Sequence, residues 1–137
     1  MEKEQQLQQK YMQFQLLQQQ IEQISQQLEL LTQNLQEIVL TQEALEQFQK
    51  VPKDNEVLAT IAPGIFFKAS LKENQKLIVN VGADTTAEKT VPQVIEMLEE
   101  QKKEMEKKVT QSDTLLQTLT QQALKLYQEF EQEKNVR

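Results

Sequence analysis

Two long stretches in which apolar residues recur every three and four positions enclose about 40 residues in which apolar and polar residues alternate. That order, helix then strands then helix, excludes most compact architectures. The first stripe runs Leu7, Lys10, Phe14, Leu17, Ile21, Ile24, Leu28, Leu31, Leu35, Ile38, Gln42 and Leu45, with Gln and Glu filling most positions between. The second runs Ile95, Leu98, Lys102, Met105, Val109, Ser112, Leu116, Leu119, Ala123, Leu126 and Phe130. Neither stripe is interrupted by Gly or Pro. At about 1.5 Å per residue each helix would run roughly 60 to 70 Å, more than a domain of this length needs. A period near 3.5 implies a left-handed supercoil. The expected fold is therefore mainly α with a small β region: a long antiparallel two-helix coiled coil with two β-hairpins at its root. It forms a single unit over 1–137, with helix 1 at 1–50, the hairpins at 51–90 and helix 2 at 91–137.

Proline marks the limits of the middle region. Pro52 lacks the donor a helix interior needs and biases Val51 away from helical angles, so helix 1 stops by Lys50. Helix 2 begins around Thr90 to Pro92, capped either by a Thr90–Gln93 capping box or by Val91. Between these limits Val57, Ala59 and Ile61 share one strand face. Ile65, Phe67, Ala69 and Leu71 share the next, and Leu77, Val79 and Val81 a third. A fourth strand, Thr85 to Lys89, rests on the turn before it: Val81-Gly82-Ala83-Asp84 places Gly at the first central position of a type II′ hairpin. Ala62-Pro63-Gly64-Ile65 fits a type II turn. Two short hairpins bury too little surface to stand alone in water, so this root needs strands from another chain or the helix bases against it.

Composition narrows function by exclusion. The 137-residue chain has a formal charge of -6 and 5% aromatic content, with no Cys and no His, which removes disulfides, thiolate chemistry and the usual transition-metal ligands. Gly64 and Gly82 are the only glycines, so there is no phosphate-binding loop, and Ser25, Ser70 and Ser112 have no discernible activating partner. No catalytic, cofactor-binding or metal-binding residues are expected, and the chain does not look like an enzyme. Its one basic run, Lys102, Lys103, Lys107 and Lys108, is interleaved with Glu99 and Glu104 at i,i+4 spacing and has no exposed aromatics beside it, which argues for a solvated face and against nucleic acid. No apolar run approaches the roughly 18 residues of a membrane span, and the N-terminus lacks a signal-peptide stretch, so a cytoplasmic protein is expected.

The order of coiled-coil helix, Glu56-Val57-Leu58-Ala59, Gly64-Ile65-Phe66-Phe67-Lys68-Ala69, Ile78-Val79-Asn80-Val81-Gly82-Ala83 and second coiled-coil helix resembles the α-class subunit of prefoldin, more the archaeal form than a eukaryotic one. The resemblance covers essentially the whole chain, with its specificity in the middle 40 residues. Ala62-Pro63-Gly64 stands where the family has a glycine-rich turn, and the fourth strand is more polar than the family pattern. A four-strand linker points to the α class, because the β class has one hairpin. The resemblance implies a hexamer of two α-class and four β-class chains joined through β-hairpins, so the partners would be β-class subunits and a second copy of this chain. It also implies ATP-independent capture of unfolded clients at the arm tips and delivery to a group II chaperonin. The subunit-assembly residues would be Val57, Ala59, Ile61, Ile65, Phe66, Phe67, Ile78, Val79 and Val81.

Antiparallel pairing makes facing residue numbers sum to about 140, which places Phe14 near Tyr127 and builds the tip from both ends of the chain. Tyr11, Met12, Leu16, Leu124 and Tyr127 lie there off the seam, beside the seam residues Leu7, Phe14, Leu126 and Phe130. Either these residues pair with each other, or they are left to bind unfolded segments weakly and adaptably. Lys10 should face Glu129 to Glu133, while Gln42, Lys102 and Ser112 set register or loosen the arm. Val39, Leu40, Phe48, Val94 and Met97 are expected to pack against the sheet; Phe66 and Ile78 pack there or face a neighbouring subunit. Leu30 and Leu115 have no assignment. A coiled-coil scaffold or tether that binds one folded partner is the alternative reading.

Overall fold

The computed structural model describes residues 2–135. Met1, Val136 and Arg137, which the expected helical segments include, lie outside the described residues. Helix α1 spans Glu2–Gln49, followed by β1 (Glu56–Ala62), β2 (Ile65–Ser70), β3 (Lys76–Gly82), β4 (Thr85–Thr90) and helix α2 (Val91–Asn135). The chain divides into two units: Met1–Leu35 with Glu104–Arg137, and Gln36–Lys103.

The first unit consists of the N-terminal part of α1 and the C-terminal part of α2, running antiparallel. Lys10 meets Glu129 and Glu133, and Phe14 lies beside Tyr127. Every apolar stripe residue of this unit, from Leu7 to Leu35 and from Met105 to Phe130, is half-buried or buried, with Leu119 and Ala123 deepest. Apolar side chains at 3.5-residue spacing stay on one face of a helix, so each helix has one stripe to bury and the other helix to bury it against.

The second unit holds the rest of both helices and the strands. Here Ile38, Val91 and Val94 are buried. Gln42 occupies a stripe position and donates from Nε2 to a Glu99 carboxylate oxygen at 3.0 Å and to the Ile95 carbonyl at 3.4 Å. A polar side chain at a seam position is costly unless paired, and these acceptors exist only in this register. Helix α1 ends through bonds from the Lys50 and Val51 amides to the carbonyls of Gln47 and Phe48, just before Pro52 would have broken it.

The start of α2 is a capping box. The Thr90 amide donates to Gln93 Oε1 at 2.9 Å and the Gln93 amide to Thr90 Oγ1 at 3.3 Å, satisfying two amides that lack intrahelical partners. Val91 is thus the first helical residue, not the cap. It is fully buried, and its amide donates to the Gln75 carbonyl at 2.9 Å, tying the helix start to the foot of β3.

Strands β1 and β2 pair antiparallel, as do β3 and β4, in two separate two-stranded sheets. The first hairpin turns through Pro63 and Gly64, whose φ of 82° suits the second central position of a type II turn. The second differs from expectation. Gly82 pairs with Thr85, so the central residues are Ala83 and Asp84, both left-handed at φ 48° and 59°. That is a type I′ pattern one residue later than the expected type II′ turn, and its twist matches that of the flanking strands. Gly82, at φ 120°, instead ends β3, and its amide donates to Asn80 Oδ1 at 2.9 Å.

Each hairpin carries an irregularity in its first strand, between Thr60 and Ala62 and between Asn80 and Gly82. Ile61 and Val81 are the extra residues. They have no ladder partner and are exposed, so neither continues the half-buried alternation of Val57 and Ala59 or of Leu77 and Val79 as expected. A bulge breaks the period of two on which that expectation rested. Leu40 is a further correction: Val39, Phe48 and Met97 are half-buried, but Leu40 is 63% exposed. It follows the buried Ile38 by two residues, which on a helix of about 3.6 residues per turn places it on the far side.

Candidate functional site

Two surfaces of the chain leave large apolar side chains uncovered. In the first unit, Leu7, Tyr11, Met12, Phe14, Tyr127 and Phe130 line a groove of about 630 Å³ together with Gln8 and Glu133. Phe14 and Phe130 are seam residues whose rings meet edge to face with centroids 6.1 Å apart. Tyr11 stands 6.3 Å from Phe130, and Tyr127 6.4 Å from Phe14. The edge-to-face geometry of the two Phe130 contacts is a favoured one for aromatic pairs. The arrangement serves both alternatives raised by the sequence: the seam rings pair with each other, while Tyr11, Tyr127 and Met12 remain at least half-exposed, Met12 at 67%.

Seven aromatic residues occur in the chain, and four of them, including both tyrosines, are in this cluster. Leu16 and Leu126 fall in a second, shallower groove with Leu17, Gln13, Gln122, Lys125 and Glu129. Leu124 is exposed and lines neither groove.

Lys10 sits at the edge of this region, with Nζ 3.3 Å from Glu129 and 3.4 Å from Glu133. The hydrogen bond to Glu129 raises its pKa above the ordinary lysine value; desolvation opposes it, and the negative charge of both carboxylates together with the hydrogen bond to Glu133 adds to the rise. All three groups are substantially solvated, so the triad aligns the helices more than it stabilises them.

The second surface is made by the hairpins. Val57, Ala59 and Val79 of the expected assembly residues are half-buried within the chain, whereas Ile61, Ile65, Phe66, Phe67, Ile78 and Val81 are exposed, Ile78 at 78%. Leu58 belongs with them at 64% exposure and was not singled out from the sequence. Its signal was present: like Phe66 and Ile78, it is an apolar residue on the reverse face of a strand whose other face already accounts for burial.

The hairpins are built alike, each with a seven-residue strand, a bulge, a two-residue loop and a six-residue strand. Their cross-strand charge pairs are reversed. Glu56 lies 3.7 Å from Lys68 beside Leu58, and Lys76 lies 3.9 Å from Glu88 beside Ile78. Among the described residues, no acidic cluster has the geometry to hold a metal ion, and no helix is long and apolar enough to cross a membrane.

A family model described as Prefoldin subunit matches residues 17–135. Among solved structures, the chain is similar to one described as the cryo-EM structure of filamentous PFD from Methanocaldococcus jannaschii, with a TM-score of 0.55 and 17% identity over 88% of this chain and 94% of that one. At that identity the likeness is one of fold. No curated protein matches the chain.

Proposed function

Because the chain belongs to the prefoldin family, we propose that this chaperone-type subunit is of the α class and acts within a hetero-hexamer of two such chains and four single-hairpin companions. Two complete hairpins in one chain support the class assignment. Their exposed Leu58, Ile65, Phe66, Phe67 and Ile78 support burial against neighbouring subunits, since so many large apolar side chains left in solvent on two short hairpins mark an interaction site. Its work is ATP-independent: it captures unfolded proteins in the cytoplasm and passes them to a group II chaperonin.

The observation that carries the capture reading is the groove in the first unit, where aromatic rings and a flexible methionine are open to solvent at the terminal end of a two-helix pair. Such a surface adapts to many apolar segments without selecting one fold. Removing residues 11–16 and 124–130 from the complex should abolish its suppression of aggregation of a denatured client, without ATP. Full protection by that shortened complex would overturn the groove as the client site.

Native mass spectrometry of the complex isolated through a tag on this chain tests the assembly. Two copies with four of a single-hairpin chain are expected. A mass series built from this chain alone would replace the hetero-hexamer with a homopolymer, and one folded partner would favour the tether.

A further inference from the structure

The groove has an electrostatic character that its apolar lining does not by itself suggest. Among the described residues, Glu133 is the only charged one in its wall. Its counter-ion, Lys10, is shared with Glu129, so one ammonium faces two carboxylates and a negative charge is left over. The surrounding segments, residues 2–14 and 125–134, hold five glutamates against four lysines, an excess of one negative charge. Beside that excess charge stand the exposed rings of Tyr11 and Tyr127, whose faces attract cations. The second groove differs, since its charged residues are one lysine and one glutamate.

We propose that the groove selects among unfolded segments, taking those in which a large apolar side chain is flanked by arginine or lysine. The apolar side chain fills the space over Phe14 and Phe130. The neighbouring cation lies against Tyr11 or Tyr127 and within reach of Glu133, where a guanidinium's planar fork can engage both carboxylate oxygens. Segments with acidic flanks meet a like charge and bind more weakly. This inference rests on the capture reading and adds to it the chemistry of the preferred client.

The test uses the assembled complex and three fluorescent peptides with one apolar centre, flanked by arginine, glutamine or glutamate. Affinities should fall in that order. The arginine peptide should bind about three- to tenfold more tightly than the glutamine peptide at low salt, from an exposed cation–aromatic contact and an exposed ion pair together. Glu133→Gln should move that ratio towards one, whereas Glu22→Gln, at an exposed site away from both grooves, should leave it unchanged. Equal binding of the three peptides, or a preference that survives Glu133→Gln, overturns the inference and leaves capture intact. Failure of all three to bind, with a denatured client still protected, overturns the groove as the client site and the inference with it. A groove occupied by a second complex would double the assembly mass in a way that Glu133→Gln or Tyr127→Ser reverses, and would also overturn it.

Discussion

Ala83 holds a φ of 48° at the tip of the second hairpin, a conformation that brings an L residue's Cβ too close to the following carbonyl. Asp84 shares that left-handed region at lower cost, because a short polar side chain can bond locally. Gly82, which needs its own φ of 120°, has open space around the position a Cβ would take, so its backbone angle and not crowding selects glycine there. Ala83→Gly should therefore stabilise the hairpin by about 0.5 to 1 kcal/mol, the relief of strain being partly offset by the greater freedom of glycine in the unfolded chain. A rise in the denaturant midpoint of the assembled complex checks it, with an unchanged slope. Thr90 works the other way: its hydroxyl accepts from the Gln93 amide, so Thr90→Ala should cost about 1 kcal/mol. Hydrogen exchange at Gln93 and the neighbouring amides of the first turn of α2 reads that loss locally.

Among the elements, the helices owe their order to the stripe and little to anything else. Leu119 is among the most buried stripe residues, whereas Leu115, four residues earlier, is exposed. Leu119→Ala should destabilise the first unit by about 2 kcal/mol or more, and Leu115→Ala should stay within about 0.5 kcal/mol. Thermal melts followed by helical circular dichroism separate the two. This contrast also explains what was legible in advance. A period of 3.5 repeated over many turns names every buried stripe residue, and the number sum of an antiparallel pair is enough to place Phe14 beside Tyr127 and Lys10 beside Glu129 and Glu133, where the side chains meet. The strands were legible as strands, but their details were not. Gly82 drew the turn one residue early because glycine is the strongest turn signal, while the actual turn is fixed by pairing of Gly82 with Thr85. The bulges at Ile61 and Val81 leave no mark in an alternating pattern, since one inserted residue is visible only against the partner strand. Glu133 is legible as a partner of Lys10 but not as part of the groove wall, because a wall depends on which side of two helices a residue closes.

At the scale of the whole molecule, the hairpins present a question of free energy. Two separate two-stranded sheets leave strand edges unpaired, and a lone hairpin in water is marginal at best. Phe66 is 55% exposed near the first hairpin's turn, paired with Thr60 across the strands; in an assembly that covers it, burial of the half still open would contribute about 1 to 1.5 kcal/mol. Phe66→Asp removes that contribution and adds the cost of taking an unpaired carboxylate out of water, together enough to weaken association by more than about a hundredfold. Within the single chain the same substitution touches a half-exposed strand position away from both helices' stripes, so helical content should hardly change. Native mass spectrometry and circular dichroism on one sample distinguish the outcomes: free subunits with full helical signal are expected. An intact complex would mean that this face stays in solvent and that assembly runs through the strand edges alone. Loss of both signals would mean that the hairpin folds only when a neighbour covers it, making association and folding of the root one event.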